Sequence, residues 1–105
     1  MKRIVLACSA GMSTSLLVTK MQQAAEAQGF EATIYAVSVS ELVLEVEKNP
    51  ADIILLGPQV SYMEEEFKKD PHLANIPIAV INMLDYGTMN GAKVIEYAKS
   101  LLDLS

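Results

Sequence analysis

Ile4-Val5-Leu6-Ala7-Cys8-Ser9-Ala10-Gly11-Met12-Ser13-Thr14-Ser15 is the stretch on which the reading of the whole chain turns. Lys2 to Ala7 is apolar almost without a break, which predicts a central parallel strand covered on both faces. Ser9 to Ser13 reads as a turn, with Gly11 free to take positive φ and small neighbours leaving room for a ligand. A helical pattern follows from about Leu16, with Ser13 or Thr14 as its cap. The only cysteine of the protein therefore stands at the end of a strand, before a hydroxyl-rich loop whose N–H groups can converge on one anion.

The remaining segments extend that first unit into a repeating order. Leu17, Met21, Ala24 and Ala25 fall at helical spacing and form a buried stripe, with Lys20, Gln22, Gln23 and Glu26 outward and Gly29 at the helix end. Glu31 to Val37 is a second strand. Ser38 and Glu41 have the spacing of a capping box, with Val37 and Leu42 as its hydrophobic staple, so a second helix is expected from Ser38. Its apolar face is Val39, Leu42, Val43 and Val46, and Asn49-Pro50 stops it. Asp52 to Leu56 is a third strand, ended by Gly57-Pro58-Gln59. Val60, Met63 and Phe67 mark a third helix, with Glu64 to Glu66 early and Lys68 and Lys69 late as the helix dipole favours. Asp70-Pro71 ends it, Pro77 to Asn82 is a fourth strand, Tyr86-Gly87 through Gly91 a loop, and Ala92 to Leu104 a last helix with Ile95, Ala98 and Leu102 inward.

Four alternations of strand and helix predict an α/β protein: three layers, an open four-stranded parallel sheet, and helices on both faces. Right-handed crossovers give strand order 2-1-3-4, with the reversal of direction between strands one and three. Ligands of such sheets bind at the carboxyl ends of the strands at that reversal. Cys8 and Gly57-Pro58-Gln59 both border that crevice.

The composition narrows the partners. The chain has 105 residues, 51% of them hydrophobic and 20% charged, which is ordinary for one compact domain, here residues 1–105. With eight Lys and Arg against thirteen Asp and Glu, it lacks the basic patch of a nucleic-acid or anionic-membrane binder, and a protein partner fits better. The lack of an obvious large apolar stripe points to a monomer. One cysteine and one histidine make neither an internal disulfide nor a zinc site, so no metal and no cofactor is expected, and a reducing cytoplasm suits the thiol. The start of the chain mimics an export signal, but four apolar residues before Cys8 fall short of the roughly 7–15 such a signal needs.

The chemistry of the loop is defined by elimination. It has no Gly-Lys-Ser/Thr of a nucleotide-binding loop and no spaced glycines of a dinucleotide site. Thiol redox exchange lacks a second cysteine. The strand, loop and helix resemble those of the low-molecular-weight tyrosine phosphatases, whose motif is Cys-x5-Arg, and the Arg position here is Thr14. Without a guanidinium to hold and polarise a transferring phosphoryl group, hydrolysis is poorly supported. A protein that keeps a phosphoryl group for a later acceptor needs a nucleophile and a cradle, and no water-activating base. A phosphatase and a non-enzymatic binding module with an inert Cys8 stay open as alternatives.

Val5-Leu6-Ala7-Cys8-Ser9-Ala10-Gly11-Met12-Ser13-Thr14-Ser15-Leu16-Leu17-Val18, Asp52 to Met63 and Tyr86-Gly87 together resemble the IIB components of the lactose/cellobiose-type sugar phosphotransferase system (PTS). The resemblance implies a cytoplasmic phosphocarrier docking transiently at the membrane. Cys8 would accept a phosphoryl group from a phosphohistidine of a IIA partner and give it to a sugar carried by a membrane-embedded IIC partner, with cellobiose, lactose, chitobiose or a related disaccharide as substrate. Ser9, Ala10, Gly11, Met12, Ser13, Thr14 and Ser15 would cradle the phosphate, and Pro58, Gln59 and Tyr86 would be rim residues.

Several side chains have two readings. Met12 and Leu16 are either docking surface at the loop rim or loop packing, and Tyr86 is either rim or core. Asp70-Pro71 matches the acid-bearing Asp-Pro of the phosphatases but is better read as a helix stop. His72, between two loop signals, reads as solvated rather than as a relay.

Overall fold

The computed structural model describes residues 2–9 and 12–102, with Met12 and Ser13 described in their backbone only. Four strands, β1 (Lys2–Cys8), β2 (Ala32–Ser38), β3 (Ile53–Leu56) and β4 (Ile78–Val80), form one sheet in the order β2-β1-β3-β4. All three pairings are parallel, with Cys8 opposite Ser38 and Ala7 opposite Leu56. The expected order and its reversal between β1 and β3 are the ones found.

The sheet is covered on both sides because β1 and β3 carry apolar side chains at every central position. Ile4, Leu6, Ile53 and Leu55 face α1 (Met12–Ala27) and α5 (Gly91–Leu101), packing with Leu17, Met21, Val94 and Ile95. Val5, Ala7, Ile54 and Leu56 face the other way, onto Leu42 and Val46 of α2 (Leu42–Lys48) and Phe67 of α3 (Glu64–Lys69). A parallel strand buried on both faces has no room for the alternation of an exposed one, which explains the unbroken apolar runs. Each fully buried Leu or Ile of this kind contributes roughly 1.5–3 kcal/mol.

Helix ends follow local chemistry closely. Gly29 takes φ +67°, and the N–H groups of Gly29 and Phe30 donate to the carbonyls of Glu26 (3.1 Å) and Ala25 (2.9 Å), a complete Schellman closure of α1. Gln22 of α1 then donates from Nε2 to the Ile34 carbonyl (2.9 Å), so a side chain caps part of the outer strand β2.

Four expectations are corrected. The first helix begins at Met12, so Ser13 and Thr14 lie in its first turn and do not cap it. The capping box does not close: Ser38 Oγ bonds the side chains of Ser40 (2.9 Å) and Glu41 (3.3 Å), and a 3₁₀ turn, Val39–Glu41, precedes α2. The third helix is divided, with a 3₁₀ segment, Pro58–Met63, before α3. There the Val60 N–H turns back to the Gly57 carbonyl (3.0 Å) and its side chain is fully buried. The segment read as a loop holds α4 (Met83–Gly87), begun by Asn82, whose Oδ1 accepts from the N–H groups of Leu84 (2.7 Å) and Asp85 (3.3 Å). The last helix, expected to reach Leu104, is α5 (Gly91–Leu101) with Leu102 as its C-cap, and residues 103–105 lie outside the described residues.

Gly91 marks a close contact between α5 and α1. A Cβ there would stand 2.4 Å from the carbonyl carbon of Lys20 and 2.6 Å from the Met21 nitrogen, both backbone atoms of α1. Gly91→Ala is therefore expected to destabilise the protein by about 1–3 kcal/mol. Gly87→Ala, which meets nothing within 4 Å, is expected to be neutral or stabilising by up to about 1 kcal/mol. Urea denaturation of the two variants checks this contrast, and equal stability of both would contradict it.

At the amino end of β4, His72 bridges two carboxylates, with Nδ1 2.9 Å from Asp70 and Nε2 3.2 Å from Glu47. The Asp70 hydrogen bond, followed by the charge of Glu47, raises the imidazole above its ordinary value. A raised histidine stabilises the fold fully below its unfolded pKa, and that contribution is lost as pH rises through the folded one. Because His72 is the only histidine, a proton NMR titration reads it directly. Its midpoint should lie above 6.5 and fall in Glu47→Gln; a midpoint at or below 6.5 in the wild-type protein would contradict the bridge.

Candidate functional site

The crevice lies where β1 and β3 part. The Gly57 N–H donates to the Ala7 carbonyl (2.9 Å) and the Ile81 N–H to the Leu56 carbonyl (2.9 Å), so the carboxyl ends of β1, β3 and β4 are tied side by side. Cys8 is the last residue of β1. It is a free thiol, buried, and its Sγ makes a long, weak bond to the Val37 carbonyl at 3.8 Å. The sulfur thus leans toward the end of the neighbouring strand β2.

The helix that follows Cys8 in the chain, α1, starts at Met12. First-turn N–H groups of a helix have no carbonyl one turn back, and together with the helix dipole they favour an anion. The first turn of α1 carries no acidic side chain to neutralise them, so its positive end is left for an incoming group. Ser9 and Ser15 are exposed. Ala10 and Gly11, both expected in the cradle, lie outside the described residues, as do the side chains of Met12 and Ser13.

Thr14 turns inward. It is 3% exposed, and its Oγ1 shares a hydrogen bond with the Tyr86 hydroxyl at 2.9 Å. Only its backbone is left to serve a cradle. Tyr86, placed among the rim candidates, is 6% exposed, and its ring packs in the core with α1 and α5. This corrects the rim assignment: the phenol reaches down from α4 beneath the first turn of α1, a contact across 72 residues that no local pattern encodes. Pro58 is half-buried and Gln59 exposed, with the Gln59 amide oxygen about 3.2 Å from where a Cβ on Gly57 would stand. Those two directly follow Gly57 at the carboxyl end of β3.

Large apolar side chains are exposed at the same end of the sheet. Leu16 in α1, Tyr62 in the segment after β3, and Met83 and Leu84 in α4 are all at least half exposed. The strands are parallel, so each of these segments leaves the sheet at its carboxyl end. For Leu16 exposure was one of the two readings; the others were missed, and the signal available was an apolar residue shortly after each strand end.

Other candidates separate from the site. His72 and Asp70 lie ahead of β4, at the opposite end of the sheet from Cys8, and Asp70 caps the short 3₁₀ turn Pro71–Leu73. A cleft of about 350 Å³ beside β4, walled by Ile81, Asp85, Val94 and Tyr97 among others, does not include Cys8. Among the described residues no three His, Cys, Asp or Glu side chains come together as a metal site would require. Among the same residues no helix is long and apolar enough to cross a membrane.

Comparison with known proteins falls on the same elements. Residues 3–97 match the family described as the lactose/cellobiose-specific IIB subunit of the PTS. The chain is 47% identical over 102 residues to the oligo-beta-mannoside-specific EIIB component of Bacillus subtilis, covering 97% of each. It is equally 47% identical, over 105 residues and 97% of each chain, to the galactose-specific EIIB component of Lactococcus lactis subsp. cremoris. The solution structure of a cellobiose-specific IIB component from Borrelia burgdorferi superposes with a TM-score of 0.77 at 37% identity, over 97% of this chain and 92% of that one. With a family match along nearly its whole length and relatives of this identity, the chain belongs to the lactose/cellobiose-specific IIB family of the sugar phosphotransferase system.

Proposed function

We propose that this protein is the phosphocarrier of a sugar phosphotransferase system and that Cys8 carries the phosphoryl group. The observation that supports this most is the pairing of a lone thiol at the end of β1 with a helix first turn free of acidic side chains. In the first step the Cys8 sulfur, giving up its proton, attacks phosphorus on a phosphohistidine of a IIA protein; the S–P bond forms, the N–P bond breaks with its electron pair returning to the imidazole, and the proton passes to that imidazole or to water. In the second step a sugar hydroxyl, held by a IIC transporter, attacks the same phosphorus. The S–P bond breaks, the thiolate is regenerated, and the hydroxyl proton passes to a base of the partner or to water.

The loop from Ser9 to Ser15 supplies the cradle in this reading, with backbone N–H groups on the equatorial oxygens. Thr14 supports retention over hydrolysis. The side chain at the place of a phosphatase arginine is a threonine turned into the core, so no guanidinium is available there to draw charge off the phosphorus. The exposed ring of Leu16, Tyr62, Met83 and Leu84 around the strand ends suits a site that must be reached by two proteins in turn.

The sugar is a β-linked disaccharide or a related saccharide. Two relatives of the same identity, 47%, carry the names of different sugars, oligo-beta-mannoside and galactose, so overall similarity does not select among them. This fits selection of the sugar by the membrane partner.

Incubation with a phosphorylated IIA protein should place phosphate on Cys8 as a thiol ester that is absent in Cys8→Ser. Label that persists in Cys8→Ser, or no label at all, would overturn the assignment. Cys8-dependent turnover of an aryl phosphate would favour a phosphatase instead.

A further inference from the structure

We infer that Tyr86 is a positioning residue for the Cys8 site: its hydroxyl holds Thr14, and through Thr14 the first turn of α1 in the orientation that receives an anion. The inference rests on the anion-receiving reading of Cys8, but its test needs neither a donor protein nor a sugar. Thr14 is polar and almost wholly buried, and a buried hydroxyl requires a partner. That partner is Tyr86 Oη at 2.9 Å, from an element 72 residues away. Helix propensity does not explain a threonine here, since a β-branched residue is a poor helix former.

The phenol is itself held firmly. The Asn82 side chain begins α4, the Tyr86 N–H donates to the Asn82 carbonyl (2.9 Å), and the Met89 N–H donates to the Tyr86 carbonyl (3.1 Å). On its other side the Tyr86 ring lies against Gly57, with Cε2 3.7 Å from the position of a Cβ there. Gly57 in turn is bonded to Ala7, the residue before Cys8. Tyr86 therefore touches both walls of the crevice, the end of β3 and the first turn of α1, and sets one against the other. Filling the core needs only the ring, whereas fixing the helix turn needs the hydroxyl.

The two roles separate in an alkylation experiment. Cys8 is the only cysteine, and iodoacetate and iodoacetamide differ chiefly in charge, so the ratio of their rates cancels the reactivity of the thiol and reports how the site receives an anion. Tyr86→Phe and Thr14→Val are each expected to lower that ratio about threefold to tenfold, the size of one hydrogen bond's effect. Thr14→Ser, which restores a hydroxyl, should recover what Thr14→Val loses, and the double variant should fall no further than either single one. An unchanged ratio in folded Tyr86→Phe overturns the inference; if that variant does not fold, equal ratios in Thr14→Val and Thr14→Ser overturn it. A lowered ratio in a protein that no IIA donor phosphorylates would refute the carrier and leave the positioning role intact.

Discussion

Strand β1 has neither a free edge nor a free face. β2 and β3 bond it on both sides, α1 and α5 cover Ile4 and Leu6, and α2 and α3 cover Val5 and Ala7. A strand so enclosed can expose chemistry only at its end, and the residue at that end is Cys8. Because β1 is also where strand order reverses, the helix that leaves it and the turn that leaves β3 separate to opposite faces and open the crevice beside the thiol. The place of the site is thus a consequence of how the sheet buries its apolar surface.

The helix that follows the thiol in the chain is notable for what its backbone offers and what its side chains do not. Among the described residues, the first turn of α1 brings N–H groups and no carboxylate, and Thr14 is turned down toward Tyr86. In the proposed function such a turn stabilises charge on a bound group, and no guanidinium stands at position 14 to draw charge off the phosphorus. In that reading the balance favours holding a phosphoryl group over hydrolysing it, and it rests on an inward threonine as much as on the cysteine.

The sheet was legible because buried parallel strands write themselves as continuous apolar runs; Ile53 to Leu56 could hardly be anything else. Gly29 was legible because its positive φ follows from helix closure, which is local. Elements whose form depends on distant contacts were not. Val60 breaks the third helix because its side chain is drawn into the core, and Ser38 satisfies Ser40 and Glu41 side chains in place of the backbone. α4 was hidden by its Gly87 and by turn-forming residues near Gly91, although Asn82 was a readable cap. In the candidate site the position of Cys8 at the end of a strand was plain, whereas the Tyr86–Thr14 bond spans most of the chain and needs three dimensions to be seen.

The central claim is that the protein keeps a phosphoryl group for an acceptor. Its most direct measurement is the fate of phosphate on the isolated, phosphorylated protein, followed by ³¹P NMR in buffer alone and after addition of IIC-bearing membranes with a β-linked disaccharide. The expected result is a phosphocysteine signal that persists in buffer and moves to a sugar phosphate when membranes and sugar are both present. Release of inorganic phosphate at the same rate with or without them would contradict the account.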